Sequence, residues 1–177
     1  MNPSPWIERF GPAVGTTGPA GPVGPVVDVA CGNGRHTRWF AARGHEVYGI
    51  DRDLSGVEDL RDAVGVRLVQ LDLERGDPIP VASGSCAAVV VTNYLWRPIL
   101  DDLVALLAPG GWLLYETFAV GNERYGRPTN PDFLLRPGEL LDLAARRDLR
   151  VVAYEDVVVD EPRPACVQRI AATRPRS

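Results

Sequence analysis

From residue 25 onward, short apolar runs alternate with amphipathic segments, and this alternation constrains the fold most. Runs rich in valine, isoleucine and leucine are typical of buried strands, and apolar residues at helical spacing indicate helices between them. Strands that alternate with helices favour a parallel sheet covered on both faces. The predicted strands are 25–30, 46–51, 66–71, 87–92 and 112–118, and the predicted helices are 35–43, 54–64, 98–107 and 137–147.

The chain ends in a different pattern. Two long β-rich runs, 149–159 and 165–173, are separated by five residues, DEPRP. A parallel crossover needs about a dozen residues, so the pair is predicted to form an antiparallel hairpin. A parallel sheet that ends in a hairpin is therefore expected.

Composition indicates a globular chain. The 177 residues are 45% hydrophobic and 24% charged, which disfavours disorder. The net charge is −4, and all 19 basic residues are arginine, so no basic field favours nucleic acid or an anionic membrane. No stretch approaches 18 apolar residues, and three widely spaced cysteines suit neither a disulfide framework nor a metal site. A cytoplasmic protein without a metal is expected.

The N-terminal region has its own pattern. Residues 1–10 predict a short helix that Ser4 caps, and residues 11–25 are too rich in glycine and proline for helix or strand. The expected organisation is an N-terminal helical segment and tether over 1–25, followed by one domain over 26–177.

The segment VVDVACGNGRH places Gly32 and Gly34 between a strand and a helix. Glycines there let backbone approach a ligand, and an alanine at Gly34 is expected to intrude on it. Asp51 ends the next strand, 19 residues after Gly32, where a carboxylate can accept both hydroxyls of a ribose. A dinucleotide site favours a third glycine at the position of Thr37, so a nicotinamide cofactor is disfavoured.

These residues resemble motif I of the class I S-adenosylmethionine-dependent methyltransferases, and most of the chain is similar to small stand-alone bacterial members of the tellurite-resistance type. The resemblance implies a Rossmann-like three-layer α/β sandwich whose seven-stranded, mainly parallel sheet has an antiparallel last strand. It implies S-adenosyl-L-methionine as cofactor and methyl transfer as activity. The cofactor-binding residues that it implies are Asp28, Ala30, Gly32, Asn33, Gly34, Asp51, Arg52, Asp72, Leu73 and Asn93.

The sequence departs from the family in two places. Ala87 replaces the acidic residue that usually opens the fourth strand. Asn93-Tyr94-Leu95-Trp96 lacks the two prolines of the aminomethylating branch, so methylation of a planar exocyclic amine is disfavoured. Two other functions stay open: a catalytically silent S-adenosylmethionine-binding partner subunit and an NAD-dependent oxidoreductase.

The acceptor is expected to be a small molecule. Tyr94, Glu116 and Tyr125 are the candidate bases, in that order, and the loop 119–135 is predicted to hold the acceptor through Arg124, Tyr125, Arg127 and Asn130. A solvated surface loop is the alternative. Residues 1–10 are expected to close over the cofactor. His36 is read as a satisfied imidazole rather than a base, and Asp72 as a ligand or a loop cap.

Overall fold

The computed structural model describes residues 2–15 and 24–176. Its helices and strands follow the predicted order. The strands are β1 Val26–Val29, β2 Val47–Asp51, β3 Val66–Gln70, β4 Cys86–Thr92, β5 Leu107–Phe118, β6 Arg150–Val159 and β7 Ala165–Thr173. The α-helices are α1 Pro5–Phe10, α2 Arg35–Ala41, α3 Leu100–Ala105 and α4 Glu139–Arg146.

The seven strands form one sheet in the order β3-β2-β1-β4-β5-β7-β6. All neighbouring pairs are parallel except those of β7, which is antiparallel to both β5 and β6. The expected fold class, with its antiparallel last strand, is confirmed. The strand order reverses between β1 and β4, and ligands of such sheets bind outside the carboxyl ends of the strands at that point.

Apolar side chains from alternate positions of each strand cover the two faces of the sheet. On β4, Val89 and Val91 pack with α3 and α4, whereas Ala88 and Val90 pack with α1 and Phe40 of α2. This alternation makes β4 apolar at nearly every position, as expected for a strand buried on both faces.

The N-terminal helix belongs to this core. Ser4 caps α1 by accepting a hydrogen bond from the Ile7 backbone N–H, and Trp6 and Ile7 are buried. The Trp6 indole N–H donates to the Ile170 carbonyl oxygen of β7, at 3.1 Å. Within the predicted tether, 11–13 form a 3₁₀ turn, and 16–23 lie outside the described residues.

Some predicted elements differ in the structure. The predicted helix 54–64 is a kinked pair of 3₁₀ turns, Ser55–Leu60, since Val57 has a non-helical φ of −134°. The segment lies against the glycine turn: a Cβ on Gly56 would come 3.0 Å from the Gly32 carbonyl oxygen. The loop 119–135 contains two 3₁₀ turns, Asn122–Arg124 and Pro131–Phe133, where the sequence predicted no regular structure.

Among the helices in the described part of the chain, none has the length and apolar character needed to cross a membrane.

Candidate active site

The glycine turn after β1 has left-handed backbone at alternate residues. Ala30, Gly32 and Gly34 have φ of 52°, 55° and 70°. The turn is tied to β2, because the Gly32 N–H donates to Asp51 Oδ2 at 2.8 Å and the Cys31 N–H donates to the Ile50 carbonyl oxygen. The other carboxylate oxygen of Asp51 accepts the Asp53 N–H at 3.0 Å. Asp51 therefore shapes the turn and still has lone pairs for further donors.

Asp28 supports the turn from inside the protein. Its Oδ2 accepts both the N–H and the hydroxyl of Thr37, at 2.8 and 2.7 Å, and the residue is buried. Burial raises the pKa of this carboxyl to about 6, although the bonds from Thr37 and the charge of Arg35 oppose the shift. Thr37 thus binds β1 to α2 where a dinucleotide site would have its third glycine.

Gly34 acts differently from the expectation. A Cβ there would lie 2.6 Å from Val57 Cγ1, inside the protein, whereas a Cβ on Gly32 meets nothing within 4 Å. The expected intrusion of an alanine at Gly34 on the ligand is therefore wrong: the side chain would collide with the 3₁₀ segment that packs beneath the turn.

A cavity of about 400 Å³, here called the nucleoside cavity, opens beside the turn at the carboxyl ends of β1, β2 and β3. It brings together five of the predicted cofactor residues with Tyr94. Phe133 was not among the predicted site residues, because only folding of the loop 119–135 places it in this cavity. The lining residues are Ala30, Asp51, Arg52, Leu71, Asp72, Leu73, Glu74, Tyr94 and Phe133.

The other predicted cofactor residues have separate positions. Asp28, Gly32, Asn33 and Gly34 build the turn, and Asn93 lies beyond the nucleoside cavity. Asp72 caps the 3₁₀ turn Leu73–Arg75 by accepting the Glu74 N–H at Oδ1. Asp72 therefore caps the loop, as one of the two interpretations proposed. Because Asp72 also lines the nucleoside cavity, its role as a cofactor ligand stays a prediction.

A smaller cavity of about 240 Å³, the connecting cavity, shares Glu74, Tyr94 and Phe133 with the nucleoside cavity. Asn93, Leu95, Thr117, Phe118 and Pro128 complete its walls. Asn93 has a φ of 56°, and its N–H donates to the Glu116 carbonyl oxygen. This chamber lies where β4 and β5 end.

Tyr94 has a hydroxyl without a partner. The oxygen is buried and makes no hydrogen bond with any described residue. Burial raises the pKa of this phenol far above its usual value, and the carboxylates of Glu74 and Asp72 raise it further. Tyr94 therefore keeps its proton at neutral pH and can act as a hydrogen-bond donor, not as a base.

A third cavity of about 520 Å³, the arginine cavity, lies on the far side of Asn93. Its walls come from the N-terminal segment, the start of α2, the end of β5 and the turn between β6 and β7. The lining residues are Asn2, Pro3, Ser4, Pro5, Arg35, Asn93, Glu116, Phe118, Val159, Glu161, Pro162, Arg163, Ala165, Val167 and Arg169.

Glu116 is held in an ion pair. Its Oε2 accepts a bond from Arg169 Nη1 at 3.0 Å, and Arg169 also binds Glu155 at 2.6 Å. A carboxylate engaged in this way is a poor candidate for a base that accepts a proton from substrate.

His36 anchors the N-terminal segment. The Ser4 N–H donates to its Nε2 at 3.1 Å, so Nδ1 carries the proton and faces the Thr92 hydroxyl at 3.3 Å. Burial, with a smaller effect of Arg35, lowers the pKa of His36 to about 3. The imidazole is neutral and satisfied, which agrees with the sequence interpretation.

The four loop residues predicted to bind the acceptor lie on the surface. Arg124, Tyr125, Arg127 and Asn130 are exposed and line none of these three cavities. Asn130 caps the turn Pro131–Phe133. Their role in acceptor binding, and that of Tyr125 in catalysis, stay predictions.

Cys31 is buried, and burial next to Asp28 raises the pKa of its thiol to about 12, so it fits the turn as a small inert side chain. Among residues 2–15 and 24–176, no group of three or more histidine, cysteine or acidic residues is placed to hold a metal ion.

Comparison with known proteins now bears on this site. Residues 26–111, which span β1 to the middle of β5, match the model of a family described as "Methyltransferase domain". Residues 26–111 belong to a methyltransferase domain. No curated protein matches this sequence.

Solved structures share the fold of the methyltransferase over nearly its whole length. An S-adenosylmethionine-dependent methyltransferase from Methanosarcina mazei matches with a TM-score of 0.68 at 13% identity and covers 100% of both chains. One from Mesorhizobium loti gives 0.69 at 17% identity, over 96% of this chain and 98% of its own. Geranyl diphosphate C-methyltransferase from Streptomyces coelicolor gives 0.69 at 20%, over 95% and 78%. These likenesses show the fold.

The expected enzyme class, a methyltransferase, is confirmed. S-adenosyl-L-methionine as its methyl donor belongs to the proposal below. The oxidoreductase alternative is not supported. The finer resemblance, to the tellurite-resistance type, stays a prediction.

Proposed function

We propose that the methyltransferase transfers the methyl group of S-adenosylmethionine to a small-molecule acceptor, with the adenosine half in the nucleoside cavity and the transferred methyl in the connecting cavity. One observation carries the proposal. Folding brings Asp51, Asp72 and Leu73, from the ends of two strands, to one cavity beside the glycine turn. These are the carboxylates and the apolar surface that a ribose and an adenine require.

The charges of the nucleoside cavity fit this cofactor. Asp51, Asp72 and Glu74 stand against the single cation Arg52 among its lining residues. An acidic rim stabilises a sulfonium cation and repels the pyrophosphate of a dinucleotide. The buried Tyr94 hydroxyl also needs an acceptor, since an unmade buried hydrogen bond costs about 1–3 kcal/mol.

The bound cofactor supplies an electrophilic methyl group on a sulfonium. The chain supplies orientation and exclusion of water. Leu95, Phe118, Pro128 and Phe133 form apolar walls of the connecting cavity, while Asn93 and Tyr94 contribute polar groups to its lining. The leaving thioether needs no proton, so the site needs no acid.

We infer that proton removal by the protein is not central to the reaction. Tyr94 holds its proton, Glu116 is paired with Arg169, and both ring nitrogens of His36 are engaged. Of the expected candidates, Tyr94 contributes as a donor that orients cofactor or acceptor. An acceptor that reaches the cavity with a free lone pair suits such a site.

A small-molecule acceptor suits the size of the chambers, which are of about 240 and 520 Å³. Two proteins of the same fold support this class. Geranyl diphosphate C-methyltransferase and 1,6-didemethyltoxoflavin-N1-methyltransferase were each crystallised with a small molecule and S-adenosylhomocysteine. We propose the same class of acceptor for this enzyme.

The test is calorimetric titration with S-adenosylhomocysteine. Asp51→Asn should lose about 1.5–3 kcal/mol of binding, because a carboxylate that accepts hydroxyl donors becomes a weaker acceptor. Asp53→Asn is the matched control: Asp53 accepts the Ser55 N–H and lines none of the cavities described. Equal affinity in the two variants would contradict the ribose assignment.

Turnover separates the enzyme from a silent binding subunit. Incubation with labelled S-adenosylmethionine and a panel of small nucleophiles should produce S-adenosylhomocysteine above the rate without acceptor. Tight binding without turnover for any acceptor would favour the silent subunit.

A further inference from the structure

We propose that the arginine cavity selects the methyl acceptor by an anionic oxygen group, a carboxylate or a phosphate, held between Arg35 and Arg163. The acceptor's apolar body then lies toward Phe118 and the connecting cavity. This inference rests on the proposed function and names the substrate class.

The charges of the cavity carry the argument. Its lining holds three arginines, of which Arg169 is already bound to Glu116 and Glu155. Neither Arg35 nor Arg163 makes an ion pair with a described residue. Two guanidinium groups on different walls of one cavity, both with free donors, match a bound oxyanion, which each can meet in bidentate geometry.

One acidic residue opposes this charge. Glu161 lies on the same turn as Arg163 and lines the same cavity. Apart from the ion pair of Arg169 with Glu116, the charged side chains of the lining are two arginines and one glutamate. The cavity is therefore net positive, and Glu161 reduces the attraction for an anion without reversing it.

Most of the uncharged lining is apolar. Phe118, Val159 and Val167 come from the ends of β5, β6 and β7, and Pro5 and Pro162 face the same space. Such walls bind hydrocarbon or aromatic surface. Asn93 and Phe118 also line the connecting cavity, so a molecule anchored at the arginines extends toward the proposed site of methyl transfer.

The N-terminal segment makes this chamber. Residues 2–5 form one wall, and the bond from the Ser4 N–H to His36 holds them against α2. Residues 1–10 were expected to close over the cofactor. The described part of this segment instead lines the arginine cavity and does not line the nucleoside cavity.

Binding of benzoate, phenyl phosphate and the uncharged benzamide, measured by ligand-observed NMR with saturating S-adenosylhomocysteine, tests the proposal. The wild type should bind at least one anion about tenfold more tightly than benzamide. Arg163→Ala and Arg35→Ala should remove most of that preference. Glu161→Gln should increase it, which a merely unfolded variant cannot do. Arg150→Ala, at the far end of the same hairpin, should leave it unchanged.

The same samples are titrated with S-adenosylhomocysteine to separate the two proposals. Intact cofactor binding without any anion preference overturns this inference alone. A loss of cofactor affinity in Arg35→Ala and Arg163→Ala, with the anion preference kept, also overturns it, since the arginines would then serve the cofactor's own carboxylate. Anion binding without cofactor binding overturns the proposed function and leaves the anion site standing.

Discussion

At the scale of single residues, two buried titratable groups flank the glycine turn and shift in opposite senses. Burial raises the pKa of Asp28 to about 6 and lowers that of His36 to about 3. Both shifts favour the neutral form, as expected for groups removed from water. Each group is hydrogen-bonded, Asp28 to Thr37 and His36 to Ser4, so each holds two elements together at the edge of the site.

Asp28→Asn should change how stability depends on pH. The folded pKa of Asp28 lies above the ordinary value of 3.8. The protonated carboxyl therefore stabilises the fold at low pH, and this contribution is lost as pH rises from about 4 through 6. A shift of this size corresponds to about 3 kcal/mol. Urea unfolding from pH 4 to 7.5 should show the wild type losing stability relative to Asp28→Asn.

The lowered pKa of His36 makes stability fall as pH drops below 6.5. Both proteins contain His36, so its contribution cancels when their stabilities are compared. A difference between the two proteins that stays constant over the range would mean that Asp28 ionises normally in the folded state.

At the scale of elements, Arg97 joins three segments near the connecting cavity. Its guanidinium binds both carboxylate oxygens of Glu139, at 2.6 and 2.9 Å, and donates to the carbonyl oxygens of Asp132 and Leu134. The turn after β4 is thus tied to the loop 119–135 and to α4. These bonds of the Arg97 guanidinium, here called the Arg97 fork, hold the loop in the conformation that places Phe133 in the nucleoside cavity.

Arg97→Met should release that loop. The substitution keeps side-chain bulk but leaves Glu139 half-buried without its main partner, at an expected cost of about 2–4 kcal/mol of unfolding free energy. Hydrogen exchange should accelerate between residues 131 and 139. Arg136→Met is the matched control, because Arg136 lies 3.9 Å from the same carboxylate and is 73% exposed, so it should cost well under about 1 kcal/mol. Similar effects of both variants would contradict the fork's role.

At the scale of the whole molecule, the N-terminal helix closes one face of the sheet. Trp6 is 1% exposed, and its bond to Ile170 joins residues 164 positions apart. Arg169 stacks on the same indole at 4.9 Å, so the helix also touches the residue that pairs with Glu116. The segment therefore contributes both to the core and to the walls of the arginine cavity.

Trp6→Ala should cost about 3–5 kcal/mol of unfolding free energy, the usual range for loss of a buried aromatic side chain. Trp6→Phe should cost less, because it keeps much of the apolar surface and loses the indole hydrogen bond. Thermal and urea unfolding measure both. Two variants of near wild-type stability would mean that the helix is not part of the folded core.

The architecture could be predicted from the sequence, because the information that specifies it is local. The period of apolar residues marks each strand, the five-residue link between β6 and β7 permits only a hairpin, and the spacing of Gly32 from Asp51 places a turn and an acid at adjacent strand ends. Asp51 could be named for the same reason, whereas Ala30 and Asp72 were named from the resemblance to the methyltransferase family. Parallel strands bring their carboxyl ends to one edge.

The remaining features of the site could not be predicted from the sequence, because they depend on contacts between segments that are far apart in the chain. Three features depend on how loops pack, which no local period encodes: Gly34 against Val57, Phe133 in the nucleoside cavity, and Arg35 and Arg163 in one cavity. The pKa shifts of Asp28, Tyr94 and His36 could not be predicted from the sequence either, because desolvation depends on the surrounding fold and not on the residue alone.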